Sequence, residues 1–196
     1  LAEKFWMVSL KILALPTSVS TLSGVFSALA NRPISVTVPV TRMPYAWPVF
    51  TQVDGPEGGM EYPMLTMSGP GFGVTDHEIG HQWWPMLVGN NETQYGWMDE
   101  GFNQYMNILS NADAAGRPPV LDGQGQNYGR TSGDEREAPM MWSANNAGPM
   151  YSFQTYSKTP LMLSMLGGVV GDSAVQRAMR EYAAAWRYKH PSPWDY

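Results

Sequence analysis

The stretch DHEIGHQWWPMLVGNNETQYGWMDEGF, residues 76–102, sets two of the chain's three histidines four positions apart and ends on an Asp–Glu pair. On an α-helix, residues i and i+4 lie about 40° apart around the axis, so His77 and His81 project from one face with rings able to converge on one ion. Glu78 points beside that face. HExxH also arises by chance on surface helices, so the reading turns on a third ligand.

A metzincin would place a third histidine at position 87, where this chain has Leu87, and the remaining His190 is remote and reads as a surface or helix-end residue. The chain has no cysteine, which excludes disulfides and thiolate ligands, so a metal must be held by histidine and carboxylate. Glu100 follows His81 after 18 residues, in the first turn of the next expected helix, from where it can face the HExxH helix. Glu92 and Asp99 are nearer rivals. Glu92 lies in the NNET loop, where a solvated side chain is the simpler reading, and Asp99 suits the orienting of a ligand histidine.

At 196 residues the chain can bury one substantial core. With 12 Lys+Arg against 17 Asp+Glu and a net charge of −5, it lacks the basic face that nucleic acid or anionic lipid demands. No apolar run of ~20 residues supports a transmembrane span. Residues 7–30 are loosely like a secretory signal, although Pro16 and the Ser/Thr content weaken the apolar core; an amphipathic helix or a poorly defined fragment end is the preferred reading. The compartment stays open.

The β-branched alternation of ISVTVPV, 34–40, predicts a strand, and 58–68 reads as extended, with Pro63 suited to an edge strand. A helix is expected over about 74–85, ended by Pro85, and another from Trp97 to Leu109 with Phe102, Tyr105, Met106 and Leu109 on one stripe. Residues 111–149 read as loop. Thr159 is expected to cap a helix that has Pro160 at its first position and closes on Gly171. Asp172 then caps a helix through about Lys189, with Val175, Met179, Tyr182 and Trp186 inward. The abundant Trp and Met, WWPM at 83–86 included, read as core.

HExxH-x18-E with GGMEY upstream resembles the aminopeptidase N and leukotriene hydrolase family of zinc peptidases, which carries a GxMEN box, HExxH-x18-E ending in an NEGF-like turn, and a downstream tyrosine before a helix. Here the box is GGMEY (58–62) with Tyr62 in the Asn place, Asp99 stands where Asn is commoner, and TYSKTPLML (155–163) is similar to the Y-x-K helix start. The resemblance covers about 43–196, and residues 1–42 stay unassigned. It implies an α+β, mostly helical, thermolysin-like catalytic domain with a small edge-strand β part. The gap from Glu61 to His77 is shorter than the family's, and the flanking β and helical domains have no counterpart. The chain is therefore expected to be a catalytic-domain piece whose remaining domains are its missing partners.

The resemblance implies one Zn2+ per chain on His77, His81 and Glu100, which would activate a water, with Glu78 as general base and proton carrier to the leaving nitrogen. It assigns the oxyanion donor to Tyr156, with Tyr151 the nearest rival, and Asp99 keeps the orienting role read from its position. It implies that Gly58, Gly59, Met60 and Glu61 bind substrate, Glu61 taking the free α-ammonium of a peptide. Read without the family, Glu61 is an exposed acid blunting a strand edge. The expected function is hydrolysis of the N-terminal peptide bond of peptides with a free amine. A zinc endopeptidase, an epoxide-hydrolase-like relative and a non-catalytic remnant are the alternatives.

Overall fold

The computed structural model describes residues 10–14, 43, 45–47, 50–54, 58–69 and 72–196. The expected strand at 34–40 and most of the signal-like segment lie outside these. Strands β1 (Leu10–Ala14), β2 (Phe50–Asp54), β3 (Gly59–Tyr62) and β4 (Leu65–Ser68) form one sheet in the order β1-β2-β4-β3. β1 and β4 run parallel to β2, and β3 pairs antiparallel with β4, Glu61 opposite Thr66. β1 thus joins part of the unassigned 1–42 segment to the sheet.

The extended run expected over 58–68 is a hairpin instead. Pro63 cannot donate to a ladder, so it takes the turn with Met64, whose φ of 61° is left-handed. Gln82 latches this turn to the helical body: its Nε2 donates to Tyr62 O at 2.9 Å and its Oε1 accepts from Met64 N at 2.8 Å. Buried polar side chains stitch the sheet inward as well. Thr66 Oγ1 donates to Gln52 Oε1 at 2.7 Å, Gln52 Nε2 donates to Ser68 Oγ at 2.6 Å, and Ser68 Oγ lies 3.0 Å from Thr75 Oγ1.

Helix α1 spans Phe72–Gly80 and stops short of Pro85. Gln82 N and Trp83 N bond three residues back, to Ile79 O and Gly80 O, and this tighter turn closes the helix. The second expected helix opens as a π-helical turn, Trp97–Gly101, and continues as α2, Phe102–Ala114. Residues 111–149 are not all loop: α3 is Asp122–Tyr128 and α4 is Ala144–Ala147. α3 buries none of its residues, which explains why DGQGQNY shows no apolar stripe. It is held through Asn127 Nδ2, which donates to Ser157 Oγ at 3.0 Å, and Tyr128 OH, which donates to Glu137 Oε1 at 2.6 Å.

A second π-turn, Phe153–Lys158, runs without a break into α5, Thr159–Val170. Thr159 is therefore no cap; its Oγ1 donates back to Gln154 O at 3.1 Å. Pro160 lacks the N–H that an α-helix would direct at the carbonyl four residues back, and the wider π-turn absorbs that loss. α6 spans Asp172–Trp186, ending before Lys189, with Asp172 in its first turn and no side-chain cap bond. Its Val175, Met179 and Tyr182 are buried, and the half-buried Trp186 packs against the core.

The core is aromatic, as the tryptophan content suggests. Trp84 stacks on Tyr182 at 5.8 Å and meets Phe102 edge-on at 5.5 Å, and Trp97 meets Phe102 at 5.3 Å. Among the described residues no helix is long and apolar enough to cross a membrane. Phe102, fully buried, joins the π-turn to this core, so Phe102→Ala should cost about 3–5 kcal/mol in urea unfolding. An unchanged midpoint would show that α2 is anchored elsewhere.

Candidate active site

His77 sits in α1, His81 in the turn that closes it, and Glu100 in the π-turn that leads into α2. Their donor atoms form a near-equilateral triangle: His77 Nε2 to Glu100 Oε2 is 3.1 Å, His81 Nε2 to Glu100 Oε2 is 3.2 Å, and the two Nε2 atoms are 3.2 Å apart. Donors bound at about 2.0–2.1 Å to a tetrahedral zinc stand roughly 3.3–3.4 Å from one another. The donor set therefore fits such an ion without rearrangement. The His81 side chain is 1% exposed, whereas His77 and Glu100 keep 12% and 14%, so the triangle opens toward solvent on one side.

His81 Nδ1 faces two acceptors, Trp84 O at 2.6 Å and Asp99 Oδ1 at 3.0 Å. Nδ1 therefore carries the hydrogen, aligned on the Trp84 carbonyl, and Nε2 keeps its lone pair for a cation. Burial disfavours an imidazolium, but Asp99 and Glu100 outweigh it and hold the His81 pKa above its ordinary value. A metal at Nε2 would take the place of that second proton. Burial would raise Glu100 too, yet hydrogen bonds from His77 and His81 and the contact with Tyr156 hold it well below the carboxylate range. Burial lifts Asp99 to about 7. Glu92 is exposed and belongs to none of the ligand groups found among the described residues.

Glu78 is buried, and its Oε2 has no hydrogen-bond partner among the described residues. Burial pushes its pKa to about 7; His81 lowers it, and Glu61, Glu100 and Asp99 raise it. One donor atom from each of Glu61, Glu78 and His81 lies within 4.8 Å of the others, so β3 delivers Glu61 to the same site. Gly59 permits this approach: a Cβ there would stand 2.2 Å from Glu78 Oε1 and 3.1 Å from Val74 Cγ1. Gly58 and Met60 are exposed beside the same edge.

Tyr156 comes from the second π-turn. Its ring lies 5.7 Å from that of His77, tilted by 34°, and its hydroxyl lies near Glu100. Burial and then the Glu100 charge raise its pKa, so the hydroxyl keeps its proton. Tyr151, the rival, packs where a Cβ on Gly96 would be 2.8 Å away, and its pKa is raised by burial and the site carboxylates. His77, Glu78, His81, Asp99, Glu100, Gly59, Glu61 and Tyr156 thus converge, whereas Gly58 and Met60 only border the site and Glu92 stands apart from the ligand groups. Sequence reading passed over Gln82, Asp76 and Asn103. The signal for Asn103 was there, since polar residues recur at helical spacing at 103, 107 and 110, on the flank of the apolar stripe of α2.

Residues 67–195 match the model of the peptidase family M1 domain. Leucine aminopeptidase 2 of Aspergillus clavatus is 31% identical over 88 residues, which cover 38% of this chain and 14% of that protein. The native leukotriene A4 hydrolase of Saccharomyces cerevisiae superposes with a TM-score of 0.76 at 19% identity, covering 94% of this chain and 33% of that one. A mutant M1 zinc metallopeptidase from Deinococcus radiodurans, bound to the substrate Tyr-Ser-Ala, superposes at 0.69 with 22% identity, covering 83% of this chain and 37% of that one. The chain therefore spans a minor part of the length of these relatives, and at such identities the superpositions establish the fold.

Titrated with zinc, the chain should take up about one ion, the capacity of one three-donor site. Glu100→Ala should lower occupancy sharply by elemental analysis, and full retention would remove Glu100 from the ligand set.

Proposed function

The chain belongs to peptidase family M1, and from that premise we propose that it is the catalytic portion of a zinc aminopeptidase acting on peptides with a free N-terminus. The observation that carries this reading is the juxtaposition of the His77–His81–Glu100 triangle with two further carboxylates, Glu78 and Glu61, on one side of it. The catalytic unit is taken as 43–196, with β1 completing its sheet. The names of the relatives, aminopeptidase and metallopeptidase, support the same activity.

Zinc held by His77, His81 and Glu100 would polarise water and the scissile carbonyl and bring the water's pKa to ~7. Glu78 accepts the water's proton on a carboxylate that has an unused buried oxygen, and passes it to the leaving nitrogen as the C–N bond breaks. Its pKa near 7 belongs to the metal-free site. A nearby cation favours the carboxylate, so the base is ionised at neutral pH and the acid limb of kcat/KM falls below 7. Tyr156, kept protonated, donates to the carbonyl oxygen as negative charge gathers there. Asp99 and the Trp84 carbonyl hold His81 in the tautomer that binds metal.

Glu61 sets the reaction register. Its carboxylate beside Glu78 offers a second anionic partner, and a substrate α-ammonium placed there brings the first peptide bond to the triangle. The open edge of β3, with Gly58 and Gly59, leaves room for substrate backbone alongside the strand. An endopeptidase has no use for an acid in this place, which is why the exopeptidase reading is preferred.

Comparison of aminoacyl reporter substrates with their N-acetylated forms tests this assignment. Acetylation removes the ammonium and leaves Glu61 unpaired, a penalty of about 1–3 kcal/mol, so acetylated substrates should be poor, and Glu61→Ala should lose activity on the free ones while keeping zinc. Equal cleavage of both forms would favour the endopeptidase. Tyr156→Phe should retain zinc and lower kcat by roughly 10²–10³; the same loss in Tyr151→Phe, with Tyr156→Phe active, would reassign the donor.

A further inference from the structure

Two of the three candidate ligands share one short stretch of chain, so their spacing is set locally. Glu100 belongs to a different element. The two His–Glu edges of the triangle therefore depend on how α2 sits against α1. That contact is polar and buried where an apolar one would be ordinary. Asp76, immediately before His77, is 3% exposed, and both its oxygens are used: Oδ2 accepts from Asn107 Nδ2 at 2.6 Å and Oδ1 from Ser110 Oγ at 3.1 Å. One turn nearer Glu100, Asn103 Nδ2 donates to His77 O at 2.7 Å. Gly80 lets the helices close, because a Cβ there would stand 2.1 Å from Asn103 Oδ1. Asn103, Asn107 and Ser110 are 0%, 8% and 2% exposed.

We propose that Asp76 is a positioning residue of the metal centre: gripped by Asn107 and Ser110, it fixes the register of α1 on α2 and thereby the distance from the two histidines to Glu100. The inference rests on the metal-binding reading of that triangle. A buried carboxylate is a poor way to gain stability, since its desolvation consumes much of what its hydrogen bonds return and well-packed apolar groups often do as well. Apolar contacts, however, tolerate sliding. Two directional bonds from α2 to the residue beside His77 do not, and a donor triangle loses its fit to a single ion when one corner moves by a fraction of an ångström.

The test measures zinc affinity by chelator competition and the visible spectrum of the cobalt-substituted chain at pH 8, alongside the melting temperature of the metal-free form. Asp76→Ala should weaken zinc by about 10–100-fold, the usual loss when a group supporting a metal ligand is removed, and should alter the cobalt bands, which report ligand geometry. Asp76→Asn, which keeps the shape and one acceptor, should recover much of that affinity. Should Asp76→Ala fail to fold, Ser110→Ala removes only the longer bond, and a several-fold weakening with shifted cobalt bands is expected. Unchanged zinc affinity and cobalt spectrum in the folded variant, with only the metal-free melting temperature lowered, would overturn the proposal and leave Asp76 a structural residue. Absence of zinc binding by the parent chain would overturn the metal reading itself, an outcome distinct from a parent that binds and a variant that binds equally well.

Discussion

Glu100 meets His77 and His81 across the gap between two helices, and the buried polar side chains of Asp76, Asp99, Asn103, Asn107 and Ser110 gather around that meeting. The histidines alone are an i, i+4 pair that any amphipathic helix can carry. The third donor makes them a candidate metal site, and it arrives on a π-turn, whose extra residue re-aims a side chain without ending the helix. Phe102 anchors that turn in the aromatic core, Asn103 ties it to the His77 carbonyl, and Trp84 fixes the His81 tautomer from the turn after α1.

The same place concentrates negative charge. Glu61, Glu78, Asp99 and Glu100 surround two imidazoles, and the ion pairs of this cluster among the described residues are all with histidine. Such a cluster is costly to bury without cations. The raised pKa values of Glu78 and Asp99 and of His81 record this demand for positive charge. A divalent metal at the triangle and an ammonium at Glu61 would meet it from two sides, so the proposed metal binding and the proposed recognition of a free N-terminus draw on one electrostatic arrangement.

Much of this could be read in the chain. His77, His81 and Glu78 follow from helical periodicity, which dictates the side chains that share a face, and the need for a carboxylate ligand narrowed the third donor to Glu100 and its rivals Glu92 and Asp99. Tyr156 and Glu61 needed the family resemblance, since nothing local distinguishes one tyrosine among ten or an acid on a strand edge. The aromatic core was legible from composition and from the 3.6-residue stripes of α2 and α6.

What was not legible has a common cause. The hairpin at Pro63, the early end of α1 and the unbroken passage from the second π-turn into α5 all depend on hydrogen bonds to residues distant in sequence or to carbonyls that only the folded chain presents. α3 escaped notice because it has no apolar face to announce it, and Asp76 because a polar residue in a helix reads as solvated until its partners on α2 are seen.

X-ray absorption at the zinc edge of the loaded chain reads the proposed donor set itself. One site with two imidazole nitrogens and carboxylate or water oxygen at about 2.0–2.1 Å is expected, with Glu100→Ala altering the oxygen shell. An ion surrounded by oxygen alone, with no imidazole scattering, would contradict it.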